Sequence, residues 1–135
     1  NLKANEYLYR RVDIEDVVSA HLLAAERAAD IGFAKYIISA STPLLPEDLK
    51  ELRQHAAQVV KKLFPEYEAI YASRGWRMLP GIDRVYVNAK ARNELGWQPK
   101  YDFNHILNLL KSGAEDLRSP MARLIGAKGY HVTTR

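Results

Sequence analysis

Apolar positions recur with helical spacing over most of this chain and take a strand-like pattern in only two short stretches. Val17, Val18, Ala20, Leu22, Leu23, Ala24 and Ala25 follow Asp13, a residue able to accept an otherwise free N–H in the first turn of a helix. Asp16 predicts an acidic variant of the capping box, and Gly32 predicts the stop. A segment this apolar is expected to be buried on most sides. Leu49, Leu52, Ala56, Val59, Val60 and Leu63 keep one face between Pro46 and Pro65, with Pro46, Glu47 and Asp48 suited to a first turn. A shorter helix is expected over residues 66–74, ended by Gly75. Asn88 predicts the cap of a helix through Leu95, with Gly96 just beyond it. Asp102 opens another, carrying Phe103, Ile106, Leu107, Leu110, Ala114 and Leu117 on one side, and Ser119-Pro120 starts a last short helix that ends at Gly126 or Gly129.

Residues 35–40, short, β-rich and bounded by small residues, read as a buried strand, and residues 84–88 alternate like a strand. Ser41-Thr42-Pro43 and residues 76–83 read as loops. The predicted fold class is therefore α/β and helix-rich, with few short strands. Two strands so far apart cannot build an independent doubly wound sheet, so they suit a small accessory lobe over residues 1–117. Residues 118–135 are then a tail with a short helix.

Composition narrows the function classes. With 135 residues, 47% hydrophobic and 27% charged, the chain fits one globular domain. No apolar run reaches the ~20 residues of a membrane span, and the opening residues lack a signal-peptide core. There are no cysteines, which excludes disulfides, thiolate metal sites and cysteine nucleophiles; a cytoplasmic location is expected. The net charge of +4 favours anionic partners. Its 20 basic residues are scattered among 16 acidic ones without a basic stripe, so arginines gripping a phosphate-bearing small molecule are expected rather than nucleic acid.

Four segments, taken in order, resemble the C-terminal, substrate-binding part of the extended short-chain dehydrogenase/reductases, the NAD-dependent epimerase/dehydratase enzymes. They are Arg11-Val12-Asp13-Ile14-Glu15-Asp16-Val17-Val18 with Ala20-His21; Tyr36-Ile37-Ile38-Ser39-Ala40; Pro46-Glu47-Asp48-Leu49; and Lys90-Ala91 through Leu95-Gly96-Trp97-Gln98-Pro99 to Tyr101-Asp102-Phe103. The likeness runs over residues 9 to about 112. The last segment also has a physical reading of its own: Gly96 takes the left-handed conformation, Trp97 folds onto the core, and Pro99 keeps the helix from resuming.

The resemblance implies a lobe that closes over a nucleotide sugar or related alcohol while a separate Rossmann domain holds NAD or NADP and the catalytic Tyr/Lys pair. That Rossmann domain is expected to be absent here, because no glycine-rich turn follows a strand among the seven glycines. Gly126-Ala127-Lys128-Gly129 reads as a cap and turn. Tyr86 and Lys90 imitate the family's Tyr-x-x-x-Lys spacing, but Tyr86 sits in an alternating segment and Lys90 in the helix after Asn88, so they are not expected to act as the pair. No catalytic residue and no bound cofactor are expected, and the chain alone should not turn over.

The resemblance further implies arginines on the diphosphate from two regions. Arg10 and Arg11 lie near the first, although the usual position falls nearer Tyr9. Arg77, Asp83 and Arg84 replace the usual Arg-x-Gly-Asp in the second, with Asp83 as an orienting carboxylate. These departures point to a substrate other than a standard nucleotide sugar. The four histidines show no metal-pair spacing, and His21 is expected in the core. Trp76 is expected to pack in the core in preference to lining a pocket. An apolar face left open by the other lobe would favour a homo-oligomer. The alternative is a stand-alone basic helical module that binds a protein or nucleic acid.

Overall fold

The computed structural model of the protein describes residues 1–126. Helices carry the architecture: α1 (Leu2–Glu6), α2 (Ile14–Glu26), α3 (Ala28–Ile31), α4 (Leu49–Leu63) behind a 3-10 turn at Pro46–Asp48, α5 (Tyr67–Ser73), α6 (Ala89–Leu95), α7 (Phe103–Lys111) and α8 (Pro120–Ile125). Helix α1 was not readable from periodicity, being five residues long. It is held from outside. Buried Asn5 donates to the Arg77 carbonyl (3.0 Å) and accepts the Tyr71 hydroxyl (2.8 Å), so neither polar group is left unpaired.

The larger core gathers Leu8, Leu52, Val59, Val60, Tyr71, Phe103, Ile106 and Leu107 from α4, α5, α7 and the segment after α1. Phe64 meets Phe103 edge-on at 5.2 Å. Arg74 closes the α5–α7 pair, donating to the Leu110 and Ala114 carbonyls. A smaller core joins Ala20 of α2 to Ala91, Leu95 and Trp97. Gly96 has φ +68° and ψ +22°, the left-handed stop its position called for, and Trp97 is fully buried.

Asp16 departs from its expected role. The helix is capped by Asp13, whose Oδ1 accepts from the Glu15 N–H at 2.9 Å and whose Oδ2 accepts from Ser119 at 3.2 Å. Asp16 is buried and accepts the N–H groups of Lys100 and Tyr101 at 2.9 and 3.0 Å. The Trp97 indole donates to the Asp16 carbonyl and to Ser19 Oγ. The stretch after Gly96 is thus strapped onto α2 through one carboxylate and one indole.

Three further expectations need correction. Residues 35–40 and 84–88 are extended, but among the described residues there is no strand, so the helix-rich part of the fold class stands and the sheet does not. A strand needs a ladder of partners, whereas these segments make one backbone bond each to residues 9–11: Ala40 N–H to Arg11 O and Tyr86 N–H to Tyr9 O, both 2.7 Å. The Asn88 side chain ties them together through the Ser39 carbonyl (2.8 Å). Second, α2 is not enclosed. Only Asp16 and Ala20 are buried on it, and Leu22 is 61% exposed, with Phe33 at 83% and Ile37 at 50% nearby in sequence. Third, α2 ends at Glu26, and Gly32 (φ +68°) closes α3 instead.

Helix α4 opens at His55, whose φ of −135° and ψ of 41° leave the helical region. Residues 80–82 cross this opening. Leu52 O accepts from Ile82 N–H (2.8 Å) and Ala56 N–H donates to Pro80 O (3.3 Å), so the loop satisfies groups that a regular helix would satisfy internally. Gly81 makes the crossing possible, since a Cβ there would run into the Arg53 carbonyl.

Candidate functional site

Residues 9–11 lie between the two extended segments and divide the candidate arginines. Arg10 and Arg11 share one carboxylate: Glu6 Oε1 pairs with Arg10 at 2.6 Å and Oε2 with Arg11 at 2.9 Å. The Arg10 hydrogen bond, opposed by partial burial and aided by Arg11, lowers the Glu6 pKa below the usual carboxylate value. Arg10 then stacks over the Tyr9 ring (5.2 Å) and Arg11 over Tyr7 (5.6 Å). The spacing of Glu6 and Arg10, one helical turn apart, was a legible signal for this clamp.

Asp83 and Arg84 follow the crossing at Gly81. Their ion pair is long, 3.4 Å, and fully in solvent, where such pairs contribute little. The Arg84 hydrogen bond lowers the Asp83 pKa, and Arg10 follows Tyr9, whose carbonyl accepts the Tyr86 N–H at 2.7 Å. Glu6 thus serves two guanidiniums, and Asp83 pairs with Arg84. Beside this pair runs a trough of about 260 Å³, lined by Asp83, Arg84, Leu44, Leu45, Pro46, Leu49, Val85 and Val87. The apolar wall is not apparent from the sequence, because Leu49 reads as a helix-face residue and Val85 and Val87 as strand, and Leu45 precedes the helix start at Pro46.

The structure brings Asp83 and Arg84 to the trough, keeps Arg10 with Arg11 on Glu6, and sets Arg77 apart. Arg11 lines a separate groove with Lys3, Tyr7, Ile14 and Arg118, about 500 Å³ in volume. Arg77 offers its backbone carbonyl to Asn1 and Asn5, and its exposed side chain has no hydrogen bond or ion pair among the described residues. Trp76 does both things weighed for it: it packs edge-on against Tyr71 at 5.6 Å and lines a groove with Leu2 and Leu117. Tyr86 lies in the extended segment, while the Lys90 ammonium sits over the Tyr36 ring at 5.2 Å. His21 is exposed, not in the core, with Nδ1 2.8 Å from the Val17 carbonyl; α2 turns that face outward.

The described glycines with positive φ stand at positions 32, 75, 96, 113 and 126, beside helix ends, and Gly81 faces the backbone of α4. None of these described glycines forms a turn between strand and helix of the kind that cradles a pyrophosphate. Gly126 ends α8; Gly129 and His131 lie outside the described residues. No cluster of three or more potential metal-ligating His, Cys, Asp or Glu occurs among the described residues. No helix among them is long and apolar enough to cross a membrane. No family model, curated protein or solved structure matches the chain.

Proposed function

We propose that this chain is the substrate-binding lobe of an NAD(P)-dependent epimerase, dehydratase or reductase, cytoplasmic and inactive alone. It acts against a separate Rossmann domain that supplies the dinucleotide and the catalytic Tyr/Lys pair. Its own part is binding. Arg10 and Arg84, steadied by Glu6 and Asp83, hold the anionic group of a sugar nucleotide or related alcohol.

The observation that carries this reading is the exposure of Leu22 on α2 and of Phe33 and Ile37 in the chain after it. The buried side of α2 is meanwhile fastened by Asp16 and Trp97. Large apolar side chains left in solvent beside a helix fastened on its other side suit a lobe that rests on another domain. Titration of the chain with UDP-glucose, NAD and a DNA oligomer tests it. UDP-glucose should bind in an Arg84-dependent manner and NAD should not. Salt-sensitive binding to DNA alone would instead favour a stand-alone basic module.

A further inference from the structure

We infer that the trough beside Asp83 and Arg84 takes a small organic anion with an apolar arm, such as an alkyl phosphate, in preference to a nucleotide sugar. This rests on the substrate-lobe reading and narrows its ligand class.

The charged end is built for exchange. Arg84 pairs with the adjacent Asp83 at 3.4 Å, both side chains mostly exposed, and has the Tyr86 hydroxyl near it, so an incoming phosphate can replace the long Asp83 contact with a shorter, bidentate one. Arg10, next to Tyr9, whose carbonyl accepts the Tyr86 N–H at 2.7 Å, adds a second cation outside the trough wall. Glu6 must serve Arg11 as well as Arg10, so it does not neutralise the pair.

The other end is built for carbon. Leu45, Leu49, Val85 and Val87 line it, and three of them are strongly exposed: Leu45 at 54%, Leu49 at 40% and Val87 at 58%. Apart from Asp83 and Arg84, the lining side chains offer no hydrogen-bonding group. A hexose carries hydroxyls all round and would lose water there without replacement partners. An aliphatic or flat apolar arm gains from the same contact. At about 260 Å³ the trough is below the ~300–1,000 Å³ of a complete ligand pocket, which suits one short arm beside one anionic group.

Calorimetric titration of the whole chain with hexyl phosphate, inorganic phosphate and UDP-glucose tests this. Hexyl phosphate should bind about tenfold more tightly than inorganic phosphate, the worth of about two buried methylene groups. Leu49→Ser should erase that advantage, and Arg84→Gln should weaken both phosphates, with circular dichroism showing each variant folded. Equal affinity for the two phosphates overturns the apolar arm. Arg84-dependent preference for UDP-glucose overturns the ligand class while leaving the lobe reading intact. Failure of all three ligands overturns both. Co-sedimentation with phosphatidylglycerol vesicles in place of hexyl phosphate binding also overturns it, since the exposed leucines would then be meeting a lipid surface.

Discussion

Gly81 bears more consequence than any charged residue near it. The crossing of α4 by residues 80–82 works only because a side chain is missing where the Arg53 carbonyl approaches. Gly81→Ala should therefore lower stability by about 1–3 kcal/mol, as overpacking does in tight interiors. It should appear as a lower urea midpoint with an unchanged slope; an unaltered midpoint would mean the crossing has slack. The same substitution should weaken phosphate binding, because Asp83 and Arg84 leave the crossing directly.

Two acids at this scale respond to pH with opposite signs. Glu6 has a folded pKa below its ordinary 4.5, chiefly through the Arg10 hydrogen bond. Its contribution is present above pH 4.5 and is lost as pH falls through the folded value. Asp16 is shifted upward, chiefly by burial and against the pull of the Lys100 and Tyr101 N–H groups. Its folded form binds its proton more readily than its unfolded form, so its titration lowers stability as pH rises from the ordinary 3.8 through the folded value. Urea midpoints at pH 6 and pH 3 should fall less between the two for Glu6→Gln than for the wild type. A fall as steep as the wild type's would show that the clamp contributes nothing.

Among the elements, α2 is the one whose surroundings were misjudged. Its composition announces burial, and a sequence cannot say whether the neighbour needed to cover a face is present. The consequence is measurable. Sedimentation velocity should show concentration-dependent self-association, and the double change Leu22→Lys, Phe33→Ser should abolish it; a wild-type chain that stays monomeric at high concentration would count against an adhesive flank.

The caps at Asp13, Asp102 and Ser119 were legible because an Asn, Asp, Ser or Thr before an apolar run has a local job. The stops at Gly75 and Gly96 were legible for the same reason. What sequence could not supply was anything settled by a distant partner. Asp16 looked like a capping residue and serves Lys100 and Tyr101, 84 and 85 positions away. Helix α1 depends on Tyr71 and Arg77, and the opening of α4 depends on a loop after α5. The β-rich run of 35–40 and the alternation of 84–88 were real, yet neither creates a ladder. In the candidate site, the charged residues were named from sequence and the leucine-valine wall was not, because its members are contributed by two separate segments.

For the whole molecule, the unequal cores imply unequal endurance. Helices α4 and α7 place four buried residues each in the larger cluster, whereas α3 and α8 bury none. Amide exchange should accordingly be slowest in α7 and the second half of α4 and fastest in α3 and α8, with α2 between them through its fastening to Trp97. Uniform protection along the chain would mean the two clusters open together.

The loan of hydrogen bonds between residues 80–82 and α4 has a practical corollary for anyone who cuts, tags or permutes this polypeptide. Adding or deleting one residue between Trp76 and Ile82 would slide the lent groups past Leu52 and Ala56. New termini belong instead at Gly113, where positive φ and empty space around the Cα leave room for added chain.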